Sequence, residues 1–225
     1  MCLVLILLNL YLVDQPDIVV PEHGTYTIQL RFGPRGEIIG YGNLGLWNRL
    51  SLGLSYGASN LIGAGNPEFY SQPGIQIRIL AIEPGLVVPA VIFGFDNQGY
   101  GTYDDSRYEI MSKGLYCQVG EIFEYPGLKI KPSLGLNYCF EEDGRLDLFG
   151  GVMFQFGSST QFLADYSPNL SDPNDQNKGY MNLALRFVFY EQLFFEFALR
   201  DLLDNSGLQD TQLNRLIKIS FQDTF

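Results

Sequence analysis

Apolar and polar residues alternate with a period of two along most of the chain from Gly24 onward. Successive side chains of a β-strand point to opposite faces, so this pattern predicts strands with one apolar and one polar face. No stretch with helical periodicity competes with it. The pattern predicts an all-β chain with twelve strands, at residues 25–33, 36–46, 50–58, 74–82, 86–96, 107–118, 128–140, 145–156, 160–166, 179–190, 193–201 and 214–222.

The connections between these strands alternate in length. Most of those after even-numbered strands are short, as at residues 47–49. Four connections after odd-numbered strands are long and rich in Asn, Asp, Gly, Ser and Pro: 59–73, 97–106, 167–178 and 202–213. Short turns at one end and long loops at the other are typical of bacterial outer-membrane barrels, and an even strand number leaves both termini at the short-turn end.

The apolar face offers too many bulky side chains for the interior of a twelve-stranded barrel, so we expect it to face lipid. The residues expected there include Tyr26, Leu52, Ile77, Leu134, Leu185 and Phe197. The charged residues expected to line the lumen are Arg31, Glu37, Arg78, Asp96, Glu109, Lys113, Lys129, Lys131, Asp147, Asp165, Arg186, Glu196, Arg200 and Lys218. A soluble antiparallel barrel, with the apolar face turned inward, is the alternative.

The composition narrows the function classes. Of 225 residues, 46 % are hydrophobic and 17 % charged, which is too apolar for a disordered chain. Glycine (25), phenylalanine (17) and tyrosine (14) are abundant, as suits many strands with an apolar outer face. A net charge of −11 excludes binding of nucleic acid through a general basic surface.

The first thirteen residues form an apolar run that is too short for a spanning helix. The run resembles the core of a signal peptide, although no basic residue precedes it and no small-residue cleavage site follows. We therefore divide the chain into an N-terminal segment, residues 1–23, which a truncated signal or leader would explain, and a barrel, residues 24–225. A buried or interfacial N-terminal strand is the alternative.

Few residues suit catalysis or metal binding. His23 is the single histidine, so neither a histidine metal cluster nor a Ser-His-Asp triad is expected. The three cysteines form no metal-binding pair, and one bridge between Cys117 and Cys139 is the most they allow. The sequence predicts no cofactor, no metal and no enzymatic turnover. An outer-membrane hydrolase using rim carboxylates is the enzymatic alternative.

The lumen charges allow two interpretations. They form a lined pore or glycan path, in which aromatic residues such as Tyr41 contact sugar hydroxyls. Alternatively, opposite charges pair across a narrow interior and fill it. The sequence leaves both open, together with a porin-like channel for small solutes.

Several short motifs resemble the YjbH-like family of bacterial outer-membrane proteins. They are Val13–Pro16, Gly53–Gly57, Ile92–Gly101 with Tyr103–Asp105, Ala164–Tyr166 and Leu199–Leu203. The resemblance implies a barrel module linked to exopolysaccharide production or export. Glycan contacts would then come from the outer-loop residues Tyr100, Tyr103, Asp104 and Asp105.

The alternation of the last predicted strand, which carries Phe221, continues to a final Phe225, and this pattern resembles the signal read by the barrel-assembly machinery. The expected location is the bacterial outer membrane. The expected partners are its lipid and lipopolysaccharide, the assembly machinery and a polysaccharide, with no nucleic acid.

Overall fold

The computed structural model describes residues 10–63, 65–85, 88–104, 107–141, 144–170, 178–205 and 214–225, without the side chains of residues 104 and 145. Twelve long strands make up the barrel and are numbered here in chain order. They are β1 (Thr25–Phe32), β2 (Ile38–Leu46), β3 (Leu50–Ser59), β4 (Gly74–Ile82), β5 (Ala90–Asp96), β6 (Gly114–Gly120), β7 (Leu128–Cys139), β8 (Arg145–Phe156), β9 (Thr160–Ser167), β10 (Tyr180–Phe189), β11 (Leu193–Arg200) and β12 (Asn214–Thr224).

Each strand pairs antiparallel with its neighbours in sequence, and the sheet closes on itself. The closing seam joins β1 to β12, with pairs from Thr25 opposite Thr224 to Phe32 opposite Ile217. The prediction of a single antiparallel transmembrane β-barrel of twelve strands is confirmed. Within the described ranges, no helix is long and apolar enough to cross a membrane.

The predicted sixth strand, 107–118, is wrong at its start. Residues Arg107–Ile110 instead pair with Tyr100–Asp104 in a separate two-stranded sheet, called here the outer hairpin (residues 100–110). Strand β6 begins only at Gly114, whose φ of 64° favours glycine. A Cβ atom there would come within 2.1 Å of the carbonyl oxygen of Tyr138. The loop after β5 therefore extends to residue 113.

The outer surface of the barrel is apolar. Leu52, Leu134, Leu185 and Phe197 are 40–59 % exposed, and Tyr26 and Ile77 are partly exposed on the same face. Their neighbours one position along each strand are buried inside the barrel, except Ser133 beside Leu134, which is half-buried. Such a continuous apolar exterior fits a lipid-facing surface.

The two ends of the barrel differ. At the end that carries Gly24 and Phe225, Trp47 and Tyr190 occupy tight turns and are 71 % and 95 % exposed. Each turn has two consecutive residues of positive φ and an i→i+3 hydrogen bond, the geometry that suits tightly paired, twisted strands. The longer connections lie at the opposite end, called here the outer end.

Candidate functional site in the lumen

The lumen is occupied by the chain's own N-terminal segment. Residues 10–20, called here the lumen hairpin, are all buried inside the barrel. The hairpin reverses direction in a turn in which the Leu12 N–H donates to the Gln15 carbonyl at 2.9 Å. Below the turn, the Asp17 N–H donates to the Leu10 carbonyl at 3.0 Å. Residues 1–9 lie outside the described residues, so the signal-peptide assignment stays a prediction.

Apolar side chains of the lumen hairpin pack on apolar patches of the lumen wall. Leu12 and Val13 share one cluster with inward-facing residues, namely Met153, Leu163, Ala184, Ala198 and Leu216. Ile18 and Val20 share a second cluster with Ala90, Ile92, Tyr116 and Phe149. The wall is therefore not uniformly polar but carries apolar surface where the hairpin needs it.

Three inward-facing glycines make room for the N-terminal segment. A Cβ atom at Gly45 would lie 2.3 Å from the Glu22 carbonyl oxygen, and one at Gly151 would lie 2.6 Å from Leu12. One at Gly120 would come within 2.8 Å of Ile18. These distances are too short for any larger residue, so the wall fits the backbone and side chains of the segment closely.

Two carboxylates of the hairpin pair with basic residues of the wall. Asp14 Oδ1 lies 3.1 Å from Arg31 Nη2, and Asp14 Oδ2 accepts a hydrogen bond from Arg200 Nε. Asp17 Oδ2 pairs with Lys131 Nζ. All five side chains are at most 6 % exposed, so the charges are compensated by each other rather than by solvent.

The hairpin backbone is also bound by side chains of the wall. Asp165 Oδ2 accepts hydrogen bonds from the N–H groups of three consecutive residues, at 2.9, 2.8 and 3.1 Å for Val13, Asp14 and Gln15. Arg186 Nη2 donates to the carbonyls of Tyr11 and Leu12 at 2.8 and 2.9 Å. The carbonyls of Leu10, Val13 and Pro16 accept from Arg78, Lys218 and Gln118, respectively.

The wall residues also pair with one another. Glu196 accepts from Arg186 Nε at 2.7 Å and lies 3.0 Å from Lys218 Nζ, while Arg31 donates to Glu37 at 2.9 Å. Arg31, Arg78, Arg186 and Lys218 are at most 2 % exposed. In a water-filled channel such side chains would be accessible to solvent. The described residues therefore leave no continuous aqueous path past these four side chains.

Eleven of the fourteen predicted lumen residues are buried inside the barrel: Arg31, Glu37, Arg78, Asp96, Lys131, Asp147, Asp165, Arg186, Glu196, Arg200 and Lys218. Asp96 accepts a 2.6 Å hydrogen bond from the Tyr11 hydroxyl of the hairpin. Lys113 lies in the loop before β6, over the ring of Phe149. Lys129 lies at the short-turn end and pairs with Glu124 at 2.8 Å.

Glu109 is not a lumen residue. It belongs to the outer hairpin and pairs with Arg35, which lies between β1 and β2. The prediction failed because the barrel strand β6 begins at Gly114 and not at residue 107. The alternating residues 107–110, which include Glu109, pair with Tyr100–Asp104 in the outer hairpin instead.

The outer hairpin folds over the outer end of the lumen. Tyr100 is only 7 % exposed, and its ring lies 3.6 Å from Arg31 Cζ and 5.1 Å from Arg200 Cζ. Burial raises the pKa of the Tyr100 hydroxyl above its usual value. Tyr103 packs edge-on against Tyr108, with ring centroids 4.8 Å apart. Asp104 ends its strand opposite Arg107, and Asp105 lies outside the described residues.

Two carboxylates hold the outer hairpin and its following loop in place. Glu37 accepts from the Gly101 N–H at 2.7 Å and from the Tyr70 hydroxyl at 2.6 Å. Glu141 accepts from the N–H groups of Tyr108 and Ser112 at 2.9 and 3.0 Å. Burial raises the pKa of Glu141, and these hydrogen bonds oppose that effect.

The remaining candidates are placed apart from the lumen contacts. Phe221 and Phe225 flank Tyr26 at the short-turn end, with centroids 6.4 and 6.5 Å from its ring. The His23 Nδ1 atom accepts a hydrogen bond from the Trp47 N–H.

Cys117 and Cys139 are free, since Cys117 points outward and Cys139 inward. In the described part of the chain, no three potential metal ligands cluster.

Sequence reasoning gave a buried N-terminal strand only as the alternative to a signal peptide, and it did not place residues 10–20 inside the lumen. Two signals were available: acidic residues at 14 and 17 interrupt an apolar run, and inward-facing positions of β8 to β12 carry apolar residues instead of polar ones. The hairpin has both apolar and acidic side chains, and the inner wall of the barrel has both apolar and basic side chains that contact them.

The fold resembles that of solved porins. A KdgM porin superimposes with a TM-score of 0.57 at 10 % identity, over 89 % of this chain and 99 % of that one. A KdgM porin in complex with disordered oligogalacturonate gives a TM-score of 0.51 at 11 % identity, over the same shares. At such low identity the likeness concerns the fold alone. No protein-family model and no curated protein matches the chain.

Proposed function

We propose that the protein is a porin-like channel of the bacterial outer membrane whose lumen is closed by its own N-terminal hairpin. The observation that carries this proposal is the burial of residues 10–20 inside a barrel with an apolar exterior. Solute would pass only when the hairpin leaves the lumen. The lumen side chains that now bind the hairpin would then line the path.

The outer-membrane location is supported by the lipid-facing exterior, the short turns at one end and the similarity to porins. Lipid and lipopolysaccharide would then surround the barrel. Strand β12, with Phe221 on its outward face and Phe225 directly after its end, would be read by the assembly machinery. Enzymatic turnover is not part of the proposal, because the buried carboxylates are engaged in ion pairs and hydrogen bonds.

Permeability of intact cells tests the proposal. A porin-deficient Gram-negative host with a periplasmic β-lactamase would express either the full chain or a variant lacking residues 2–20. Hydrolysis of an added hydrophilic β-lactam by intact cells should rise several-fold with the variant and stay at the background rate with the full chain. Equal rates, at equal abundance in the outer-membrane fraction, would refute closure by the hairpin.

A second candidate function follows from the YjbH-like motifs at residues 92–105, namely a role in exopolysaccharide export. The outer hairpin contains the last part of these motifs, Tyr100–Asp104, and it covers the outer end of the lumen where a polymer would emerge. Deleting the gene in its natural host should lower surface polysaccharide, and a copy lacking residues 100–110 should fail to restore it. Unchanged polysaccharide in the deletion strain would remove this candidate.

A further inference from the structure

We infer that the lumen is a binding site for peptide segments, which it recognises chiefly through their backbone, and that the lumen hairpin is the chain's own copy of such a ligand. The ligand is a flexible peptide with two acidic residues three positions apart and apolar residues on either side of them. The inference rests on the proposed channel function, because it names what the lumen would take up once the hairpin has left it.

The first sign of a peptide site is the way in which Asp165 holds the turn of the hairpin. Its Oδ2 atom accepts the N–H groups of Val13, Asp14 and Gln15 at 2.9, 2.8 and 3.1 Å. Consecutive backbone N–H groups that converge on one anion form a nest, which is a feature of polypeptides. Asp165 is only 2 % exposed, so a ligand without closely spaced donors would leave its charge poorly compensated.

The wall also binds backbone carbonyl groups along the hairpin. Five of these carbonyls accept hydrogen bonds from wall side chains. Arg186 binds two of them at 2.8 and 2.9 Å, Gln118 binds a third at 2.8 Å, and Arg78 and Lys218 bind the other two. Every peptide carries the same backbone groups, so these contacts do not depend on the hairpin's own sequence. The wall therefore recognises a peptide conformation more than a particular sequence.

A few side chains of the ligand supply the selectivity. Arg31 and Arg200 bind the carboxylate of Asp14, and Lys131 binds that of Asp17. Two apolar clusters of the wall receive side chains on either side of this acidic pair, namely Leu12 and Val13 in one cluster and Ile18 and Val20 in the other. The contacts thus define a ligand that is both acidic and apolar.

The hairpin does not use the site fully. Arg200 Nη2 and Gln15 Oε1 are buried and, within the described part of the chain, have no hydrogen-bond partner. Buried polar groups without partners are unfavourable. A peptide with another residue at the position of Gln15, or with an additional acceptor beside Arg200, would therefore gain stability that the hairpin lacks. This gain would oppose the high effective concentration that the short tether, residues 21–24, gives the hairpin.

The path of the hairpin shows the side from which such a peptide would enter. Its second arm leads to Gly24 at the short-turn end, and its turn lies beside Asp165 and Arg200, near the outer ends of β9 and β11. The outer hairpin covers the opposite end, where Tyr100 lies against Arg200. We therefore place the peptide ligand on the short-turn side of the membrane.

Fluorescence anisotropy with labelled peptides, on protein purified in detergent, tests the inference. The receptors are the full chain and the variant lacking residues 2–20. The first probe is a synthetic peptide of residues 10–20 with Gln15→Ala and Val19→Ala. In the second probe, ester bonds also replace the backbone N–H groups of positions 13 and 14 with oxygen, at unchanged charge. The variant should bind the first probe at least tenfold more tightly than the second, and at least tenfold more tightly than the full chain does.

Substitutions in the wall provide the matched control. Adding Arg200→Gln to the variant lacking residues 2–20 should weaken binding of the first probe at least tenfold. Adding Arg49→Gln should leave it unchanged, because Arg49 lies in the turn between β2 and β3, is 53 % exposed and pairs with Glu83. If the deletion prevents folding, Gly45→Val in the full chain replaces it: displacement of the N-terminal segment should raise affinity for the first probe at least tenfold.

Equal binding of the amide and ester probes would overturn the inference, and so would the absence of peptide binding once the hairpin is deleted or displaced. These failures differ from failure of the proposed function. Open channels in the deletion variant without peptide binding would refute only the inference, whereas closed channels in that variant would refute the gate.

Discussion

The carboxylate of Asp14 and the guanidinium group of Arg31 are 3.1 Å apart inside the barrel, although the residues are 17 positions apart in the chain. The pair joins the lumen hairpin to β1, the first strand of the barrel. The ion pair therefore attaches the N-terminal segment to the inner wall of the barrel that surrounds it. Among the described residues, removing the Asp14 carboxylate would leave Arg31 paired with Glu37 but Arg200 buried without a carboxylate partner, which is costly.

The N-terminal segment contacts Gly45 of β2 so closely that a larger side chain there should displace the segment. Gly45→Val places a side chain where the carbonyls of Pro21 and Glu22 now lie, 2.5 and 2.3 Å from its Cβ position. We expect the variant to show channel openings in a planar bilayer at least tenfold more often than the unchanged protein. The control is Gly42→Val on the same strand, which faces outward with nothing within 4 Å and should stay closed. Equal opening of both variants would contradict the close fit.

The sequence predicts the barrel well because a period of two is a local property. Leu185 and Arg186 can be assigned to opposite faces from their neighbours alone. The start of β6 could not be predicted, because residues 107–110 alternate as a barrel strand would and only the conformation at Gly114 separates them from it. Burial of residues 10–20 was an alternative that the sequence offered, but their place inside the lumen depends on contacts with strands up to 205 positions away, which a local pattern does not specify.

Asp165→Asn should loosen the turn of the lumen hairpin. The carboxylate accepts three backbone N–H groups through Oδ2 and one amide of Asn182 through Oδ1, at 2.7 Å. An asparagine side chain has one oxygen and one NH₂ group. Either the N–H groups of residues 13–15 or the Asn182 amide would then face the NH₂ group and lose an acceptor. Hydrogen bonds to charged groups contribute about 1.5–3 kcal/mol each. Amide hydrogen exchange at residues 13–15 should accelerate at least tenfold, and unchanged exchange would show that Asp165 does not hold the turn.

Glu196→Gln should destabilise the barrel strongly. Glu196 compensates Arg186 and Lys218, and all three side chains are at most 2 % exposed. Leaving buried charges without a partner costs about 3–5 kcal/mol. The free energy of unfolding, measured by urea titration in lipid vesicles, should fall by about this amount. The control Glu124→Gln breaks a pair in which Glu124 is 53 % exposed, and it should change the value by less than about 1 kcal/mol.

Leu185→Arg tests the orientation of the outer face. Leu185 is 45 % exposed and lies midway along β10, where an arginine facing lipid costs about 2–4 kcal/mol. Insertion into lipid vesicles from urea should be impaired correspondingly. Tyr190→Arg, at the turn after β10, lies near the interface and should cost about 0–1 kcal/mol. Equal tolerance of the two substitutions would count against a membrane-spanning barrel.

Single-channel recording tests closure by the lumen hairpin most directly. The full chain and a variant lacking residues 2–20 would be inserted into planar bilayers under identical conditions. We predict that the full chain is silent, that the variant shows discrete conductance steps, and that a synthetic peptide of residues 10–20 added at the short-turn side closes the variant again. Equal conductance of the two proteins, or silence of both, would contradict a channel that is closed by its own N-terminal segment.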